Sequence, residues 1–192
     1  EFRRVLFRSQ KLKELARDAY NFEVPLEKVS DNLYIFRMDR GPTASFKDFA
    51  ARMMARWMNC VLETTDQQLL ILTATSGDTG GAIADAFYGL SRISVCVLFP
   101  LDEVSQRQRR QMTTLGSNIQ AIAVNGKFDD CQAMVKEAFS DTDLKALNLS
   151  SANSINFGRL LPQSVYYIYI YSRLNSEKVI FNVPSGNFGN LM

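Results

Sequence analysis

Histidine is absent from the 192 residues of this chain. Its absence excludes Ser-His-Asp and Cys-His catalytic groups, and it removes the commonest zinc ligand, so we expect no metal site. Acid–base chemistry in this chain therefore has to come from a lysine, from a carboxylate or from a cofactor.

Cysteine is scarce as well. The three cysteines, Cys60, Cys96 and Cys131, are odd in number and far apart in the sequence. This arrangement fits neither a disulfide framework nor the paired spacing of zinc ligands. We expect all three to be buried, reduced thiols.

The chain also lacks an excess of charge of either sign. It has 22 Lys and Arg residues against 20 Asp and Glu residues, a formal charge of +2. Such a balance predicts no nucleic-acid or membrane-surface partner. No apolar run approaches the roughly 20 residues of a transmembrane helix, and the first residues lack the apolar core of a signal peptide. We expect a cytoplasmic protein.

Apolar runs of about six residues alternate with amphipathic segments of about twelve in the middle of the chain. They predict strands at 69–74, 93–99 and 119–124 and helices at 78–90, 104–115 and 128–139. This alternation predicts an α/β fold, in which helices cover both faces of a parallel sheet. Ligands of such sheets bind beyond the carboxyl ends of the strands.

The flanking regions extend this pattern. On the amino-terminal side we predict a helix at 11–20, a strand at 33–37 and a helix at 46–60. On the carboxyl-terminal side we predict a strand near 144–149, a helix at 158–174 and a strand at 179–183. Residues 1–8 show no clean periodicity, and we set them aside as non-native sequence.

The most informative segment is Gly-Pro-Thr-Ala-Ser-Phe-Lys-Asp at 41–48, which places Lys47 after a tight turn at the start of an apolar helix. Desolvation beside Phe46 and Phe49 would lower the pKa of this amine and make it a nucleophile and a base. The alternative is an ordinary solvated lysine on the surface.

The segment Thr-Ser-Gly-Asp-Thr-Gly-Gly at 75–81 follows a predicted strand. Its hydroxyls and the N–H groups of the next helix can hold a carboxylate, while Asp78 accepts a hydrogen bond from a ligand hydroxyl. The alternative is a plain helix cap, in which Ser76 or Asp78 satisfies the first-turn amides.

Ser-Gly-Asn-Phe-Gly-Asn at 185–190 follows the last predicted strand. Its two glycines let successive N–H groups approach an anion, for which phosphate is the natural guest. The spacing is neither that of a Walker loop nor that of a Rossmann loop. The alternative is an ordinary strand-to-helix turn.

The segment Asn-Ser-Ile-Asn-Phe-Gly-Arg at 153–159 sets two amides and an arginine before a helix. Arg159 offers a planar fork of donors that suits a phosphate or a carboxylate. The alternative is a capped helix with an arginine on its surface.

Together, from about residue 33 to residue 192, these four segments resemble the threonine synthases among the pyridoxal-phosphate-dependent enzymes. The resemblance implies that Lys47 forms the resting Schiff base and is the catalytic residue. It assigns cofactor binding to Phe46, Lys47, Asp78 and the phosphate cradle Gly186, Asn187, Phe188, Gly189 and Asn190. It assigns substrate binding to Thr43, Ser76, Asp78, Thr79, Asn153, Ser154, Asn156 and Arg159. Many members carry a histidine where this chain has Arg40.

The resemblance also implies the reaction and the architecture. The reaction is the conversion of O-phospho-L-homoserine and water to L-threonine and phosphate by pyridoxal 5'-phosphate chemistry. The architecture is PLP-dependent fold type II, tryptophan synthase β-like, with its C-terminal part missing, as a monomer or a homodimer. The segments would be 9–60 with the Schiff-base lysine, 61–175 as the α/β cofactor and substrate domain, and 176–192 as the start of the returning large domain.

Two alternatives remain open from the sequence. One is another enzyme of the same fold, such as a threonine or serine dehydratase or a cysteate synthase-like enzyme. The other is a non-catalytic paralogue that binds the cofactor or a phosphorylated ligand. A dinucleotide-binding module is disfavoured because the Rossmann glycines are absent.

Overall fold

The computed structural model describes residues 9–153, 156–174 and 176–185. Its helices there are α1 (Ser9–Ala19), α2 (Lys47–Thr65), α3 (Asp78–Phe87), α4 (Gln106–Thr113), α5 (Phe128–Ser140), α6 (Phe157–Leu160) and α7 (Ser164–Arg173). Its strands are β1 (Leu26–Ser30), β2 (Leu33–Phe36), β3 (Leu69–Ala74), β4 (Ile93–Pro100), β5 (Ile119–Val124) and β6 (Leu149–Ser150). Short 3₁₀ turns lie at Met38–Arg40, Lys145–Leu147 and Leu161–Gln163.

Four strands form a parallel sheet in the order β5-β4-β3-β6. In the central pair, Leu69 of β3 lies opposite Ile93 of β4, and the register continues to Ala74 and Leu98. Because the strands are parallel, the loops that follow β3 and β6 leave the sheet at the same edge. The predicted α/β fold is therefore confirmed.

The sheet is covered on both faces. Side chains alternate across a strand, so Ile71 and Val97 point to one face and pack in a core with α2, α3 and α4. Ala74 and Leu98 point to the other face and pack with Cys131 of α5. The larger core lies on the side from which α2 and α3 present the candidate site.

Before the sheet, β1 and β2 form an antiparallel hairpin, with Leu26 opposite Phe36. The prediction of a strand at 33–37 is confirmed by β2, whereas β1 was missed. Its sequence, Leu-Glu-Lys-Val-Ser, is mostly polar, and four of its five residues are exposed, so no apolar pattern marks it as a strand.

The strand predicted near 144–149 is largely wrong. Residues Lys145–Leu147 form a 3₁₀ turn, and Asn148 has a φ of +49°, in the left-handed region that ends regular structure. Only Leu149 and Ser150 then pair with β3, opposite Leu70 and Ile71.

Two further predictions near the end of the described chain need correction. The helix at 158–174 is divided into α6 and α7 by a 3₁₀ turn that contains Pro162, which has no N–H for a helical hydrogen bond. The strand at 179–183 is absent from the described structure. A strand needs a paired neighbour, and Ile180 in the middle of this run is 97% exposed.

Cys60 and Cys131 are buried and Cys96 is half-buried, all three as free thiols. Burial raises the thiol pKa of Cys96 and of Cys131. Across the described ranges, no helix combines the length and the apolar character that crossing a membrane requires.

Candidate active site

The loop before α2 is held by one buried carboxylate. Asp48, which is fully buried, accepts hydrogen bonds from the backbone N–H of Thr43 at 2.9 Å and from the Thr43 hydroxyl. A Cβ on Gly41 would lie 2.4 Å from Oδ2 of Asp48, so only glycine lets the chain pass this close. The loop is thereby tied to the first turn of α2, where Lys47 begins the helix.

Lys47 lies in a partly desolvated position, with 22% of its side chain exposed. Its Nζ is 4.8 Å from the centre of the Phe46 ring and 4.0 Å from Oδ2 of Asp78. Burial lowers the pKa of the Lys47 amine, the carboxylate of Asp78 raises it, and the cation of Arg159 lowers it. The structure thus agrees with the expected desolvation, and the alternative of a solvated surface lysine is wrong.

The loop after β3 is built around the hydroxyl of Thr75. This hydroxyl accepts hydrogen bonds from the N–H groups of Gly77 at 3.0 Å and Gly80 at 2.8 Å. Thr75 therefore satisfies the start of α3, and the alternative in which Ser76 or Asp78 caps this helix is wrong. Ser76 and Asp78 are left exposed and Thr79 half-buried at the entrance of α3.

The helix α4 connects the two loops through a pair of glutamines. Gln108 donates from Nε2 to Oδ1 of Asp78 at 2.6 Å. Gln111, one helical turn later, donates from Nε2 to the backbone carbonyl of Thr43 at 3.2 Å. Sequence reasoning missed both residues. The only available signal was their spacing of three residues, which places them on one face of a helix.

Close packing of α4 against α3 explains two glycines in the Thr-Ser-Gly-Asp-Thr-Gly-Gly segment. A Cβ on Gly80 would lie 2.4 Å from the sulfur of Met112, and a Cβ on Gly81 would lie 2.9 Å from Oε1 of Gln111. These glycines allow the helices to approach, and this approach brings the glutamines of α4 to the site.

The loop after β6 joins the same edge. The Thr73 hydroxyl of β3 donates to Oδ1 of Asn153 at 2.5 Å. Asn156 caps α6 by accepting from the N–H of Gly158 at 2.9 Å, and its own amide donates to the Ser151 carbonyl at 2.8 Å. The predicted helix cap is present, and the loops after two neighbouring strands meet as expected.

Arg159 is not the surface arginine of the alternative interpretation, because it is only 3% exposed. Its Nη1 donates to the carbonyl of Ala152 at 2.6 Å, while its Nε has no hydrogen-bond partner in the described structure. Burial lowers the pKa of Arg159 to about 10. A buried cation with a spare donor, close enough to Lys47 to lower that amine's pKa, is suited to an anionic ligand.

The structure brings together most of those predicted site residues that it describes. Contacts or charge interactions link Thr43, Phe46, Lys47, Asp78 and Arg159 around one edge of the sheet. Asn153 and Asn156 lie in the neighbouring loop. The predicted residues Ser154, Gly186, Asn187, Phe188, Gly189 and Asn190 lie outside the described residues.

A family model described as pyridoxal-phosphate dependent enzyme matches residues 20–192. The threonine synthase of Haemophilus influenzae is 49% identical over 184 residues, which cover 94% of this chain and 43% of that protein. The chain thus spans less than half the length of the curated relatives that it matches.

Solved structures show the same similarity. A PLP-bound threonine synthase from Brucella melitensis superposes with a TM-score of 0.88 at 40% identity, covering 96% of this chain and 42% of that one. A threonine synthase from yeast superposes with a TM-score of 0.89 at 35% identity, covering 96% and 40%. The expected fold type and the resemblance to the threonine synthases are both confirmed.

Proposed function

This chain belongs to the pyridoxal-phosphate dependent enzyme family, and from this we propose that it is part of a threonine synthase. The reaction would convert O-phospho-L-homoserine and water to L-threonine and phosphate, which makes the protein a carbon–oxygen lyase acting on phosphate. The observation that carries the proposal is the half-buried amine of Lys47, which lies 4.0 Å from the carboxylate of Asp78 and has its pKa lowered by burial and by the buried cation Arg159.

The described residues fit pyridoxal 5'-phosphate. An amine reacts with an aldehyde only in its unprotonated form, and burial lowers the pKa of Lys47 in that direction. Lys47, Phe46 and Asp78 would hold the ring end of the cofactor, and residues 186–190 would hold its phosphate. When bound, the cofactor supplies an electron sink that stabilises negative charge on the carbons next to the substrate amino group.

Lys47 would then move protons. Its amine belongs to the first residue of α2, where burial and the guanidinium of Arg159 favour the unprotonated form and the carboxylate of Asp78 favours the protonated form. The unprotonated amine removes a proton from the substrate, and the protonated amine returns it at a neighbouring carbon. No histidine is needed for this sequence of transfers.

Arg159 would bind an anionic group of the substrate. Its Nε lacks a partner in the described structure, and leaving a buried donor unpaired costs about 1–3 kcal/mol. A phosphate or carboxylate at this position would recover that free energy and pair the buried charge. The role proposed for Arg159 is therefore a fixed positive charge rather than proton transfer.

The other predicted substrate residues differ in which of their hydrogen-bonding groups are available to a ligand. Ser76 and Thr79 lie at the entrance of α3, where hydroxyls and helix N–H groups favour a carboxylate. The Thr43 hydroxyl already donates to Asp48, so towards a ligand it can only accept. Asn156 uses its amide for the cap, and we propose that it shapes the loop that carries Asn153, Ser154 and Arg159.

Turnover by the full-length, cofactor-loaded protein tests the function. We expect phosphate release and L-threonine formation from O-phospho-L-homoserine, with no comparable turnover of free serine or free threonine. Preferential turnover of free serine or threonine would instead assign a dehydratase of the same fold. Binding of cofactor without turnover of any of the three amino acids would favour the non-catalytic paralogue.

A further inference from the structure

The carboxamide of Gln108 is fixed at both of its ends. Its Oε1 accepts hydrogen bonds from the Ser105 hydroxyl at 2.8 Å and from the Ser105 backbone N–H at 3.2 Å. Its Nε2 donates to Oδ1 of Asp78 at 2.6 Å. A backbone N–H can only donate and a carboxylate can only accept, so these partners define which end of the amide is oxygen.

The backbone of the facing loop makes room for this amide. Gly77 has a φ of +144°, and a Cβ there would lie 2.4 Å from Nε2 of Gln108. The backbone conformation at position 77 favours glycine, and a Cβ there would displace the amide of Gln108. Gln108 supplies the hydrogen bond to Asp78, and the absence of a side chain at Gly77 leaves the space for it.

Gln108 leaves one oxygen of Asp78 for the site. Oδ1 is bound to the amide, and Oδ2 lies 4.0 Å from Nζ of Lys47. Because 55% of the Asp78 side chain is exposed, water competes for this carboxylate, and without a second contact it would rotate among its rotamers. The hydrogen bond from Gln108 selects the rotamer that faces Lys47.

We propose that Gln108 is a positioning residue of this site, which acts through Asp78 to keep a negative charge beside the amine of Lys47. The inference deepens the proposed function, on which it rests for the meaning of the amine. It rests on the geometry of three side chains from three helices, α2, α3 and α4.

The charges that act on Lys47 determine the direction of the expected effect. Asp78 and Asp48 raise the pKa of the amine and Arg159 lowers it, with Asp78 the larger of the two carboxylate contributions. If Gln108 no longer holds Asp78, the carboxylate spends less time near the amine and the pKa of Lys47 falls. At a fixed pH below that pKa, more of the amine is then unprotonated.

The test is the rate at which acetic anhydride acetylates Lys47 in the full-length protein freed of cofactor, measured by peptide mapping. Each variant's acetylation rate is divided by its own rate at high pH, where the rate no longer increases. This ratio gives the fraction of the Lys47 amine that is unprotonated. We expect Asp78→Asn to increase this fraction about two- to fivefold, the range for a partly exposed ion pair. Gln108→Met, which keeps the length of the side chain, should produce a smaller increase of the same sign.

Two further variants separate positioning from general damage. Ser105→Ala removes the hydroxyl that donates to Oε1 of Gln108 and keeps the backbone N–H that donates to the same oxygen, so we expect an increase smaller than that of Gln108→Met. Gln106→Met makes the same replacement at an exposed position of the same helix and should leave the acetylation of Lys47 unchanged. If Gln108→Met does not fold, Ser105→Ala carries the same test.

The double variant Gln108→Met/Asp78→Asn gives the decisive comparison. If Gln108 acts through Asp78, its replacement adds nothing once Asp78 is neutral. An unchanged or slower acetylation of Lys47 in Gln108→Met would overturn the proposal, and so would an increase that persists in the Asp78→Asn background. Acetylation needs no turnover, so this result is independent of whether the protein makes threonine.

Discussion

Lys47 and Arg159 are two basic residues of the same site that differ in burial and in their charged neighbours. Lys47 begins α2 directly after a loop held by Asp48 and by α4, is partly exposed, and has a carboxylate 4.0 Å away. Arg159 is almost fully buried, has no carboxylate partner in the described structure, and keeps its Nε unpaired. The charge of Lys47 is adjustable, whereas Arg159 stays charged at neutral pH.

This difference separates chemistry from binding. A group that transfers protons needs a pKa near the working pH, and partial burial together with a nearby carboxylate adjusts the pKa of Lys47. A group that holds an anion needs to stay charged, and Arg159 with a pKa of about 10 does so at neutral pH. Variants of Lys47, of Arg159 and of their neighbours should therefore differ in which kinetic constant they change.

Replacement of the amine should have the largest effect. In Lys47→Ala of the full-length protein we expect kcat to fall by about 10³-fold or more, because one group both holds the cofactor and moves protons. Steady-state phosphate release from O-phospho-L-homoserine measures it. Lys136→Ala, an exposed lysine on α5, serves as control and should keep the original rate. Activity of Lys47→Ala within tenfold of the original protein would remove the lysine from the mechanism.

Replacement of the buried arginine should weaken binding more than chemistry. For Arg159→Met we expect kcat/KM to fall about 10- to 100-fold, the loss of one or two hydrogen bonds to a charged group. We also expect a melting temperature no lower than that of the original protein, since burying an unpaired charge costs stability. A fall in kcat with unchanged KM would contradict the binding role.

The pH dependence of substrate binding should follow the same arginine. Arg159 is charged below its pKa of about 10 and loses its proton as the pH rises through that value. We expect KM for the phosphorylated substrate to be flat between neutral pH and pH ~9 and to rise above pH ~10. In Arg159→Lys the rise should change position, because an ammonium has a different pKa. A KM that is independent of pH up to pH ~11 would argue against contact between this arginine and the substrate.

A backbone replacement tests whether the loop of Lys47 is held by close packing. Gly41→Ala would place a Cβ 2.4 Å from the Asp48 carboxylate, so we expect the loop to move and kcat to fall by about tenfold. Gly89→Ala is the control, because it meets no atom within 4 Å and is strained only by its φ of +76°. It should cost about 1 kcal/mol of stability with little effect on kcat. Equal losses of activity in the two variants would show that the effect is general destabilisation.

The smallest expected effect is a change in the pKa of Lys47, and its sign should differ between variants of Arg159 and of Asp78. Arg159 lowers the pKa of Lys47 and Asp78 raises it. Replacing Arg159 by a neutral residue should therefore raise this pKa, and replacing Asp78 by a neutral residue should lower it. In the acetylation assay we expect Arg159→Met to slow the modification of Lys47 and Asp78→Asn to accelerate it, each by about two- to fivefold. Shifts of the same sign in both variants would break the proposed distinction between the cations.

The sequence predicted those features that local patterns determine. Strands Leu69–Ala74 and Ile119–Val124 are short apolar runs with turn residues on both sides, and both lie where the pattern places them. The run at 179–183 has the same local character but no strand to pair with in the described structure. A strand is stabilised by its partner, which the run itself does not specify.

In the site, too, the sequence predicted residues that stand in local motifs and missed those that matter through distant contacts. Lys47, Asp78 and Arg159 stand in recognisable segments, so their types and spacing predicted them. Gln108 and Gln111 are ordinary residues of an amphipathic helix, and they matter only because they contact residues 30 and 68 positions earlier in the chain. The burial of Arg159 was equally invisible, because it depends on how the loop after β6 packs on the sheet.

The central claim is that one particular amine holds the cofactor. Its most direct test is to load the full-length protein with pyridoxal 5'-phosphate, reduce it with borohydride and map the modified peptide. We expect one modified lysine, at Lys47, and no stoichiometric label on another residue of the chain. A stoichiometric label on any other lysine, with Lys47 unmodified, would contradict it.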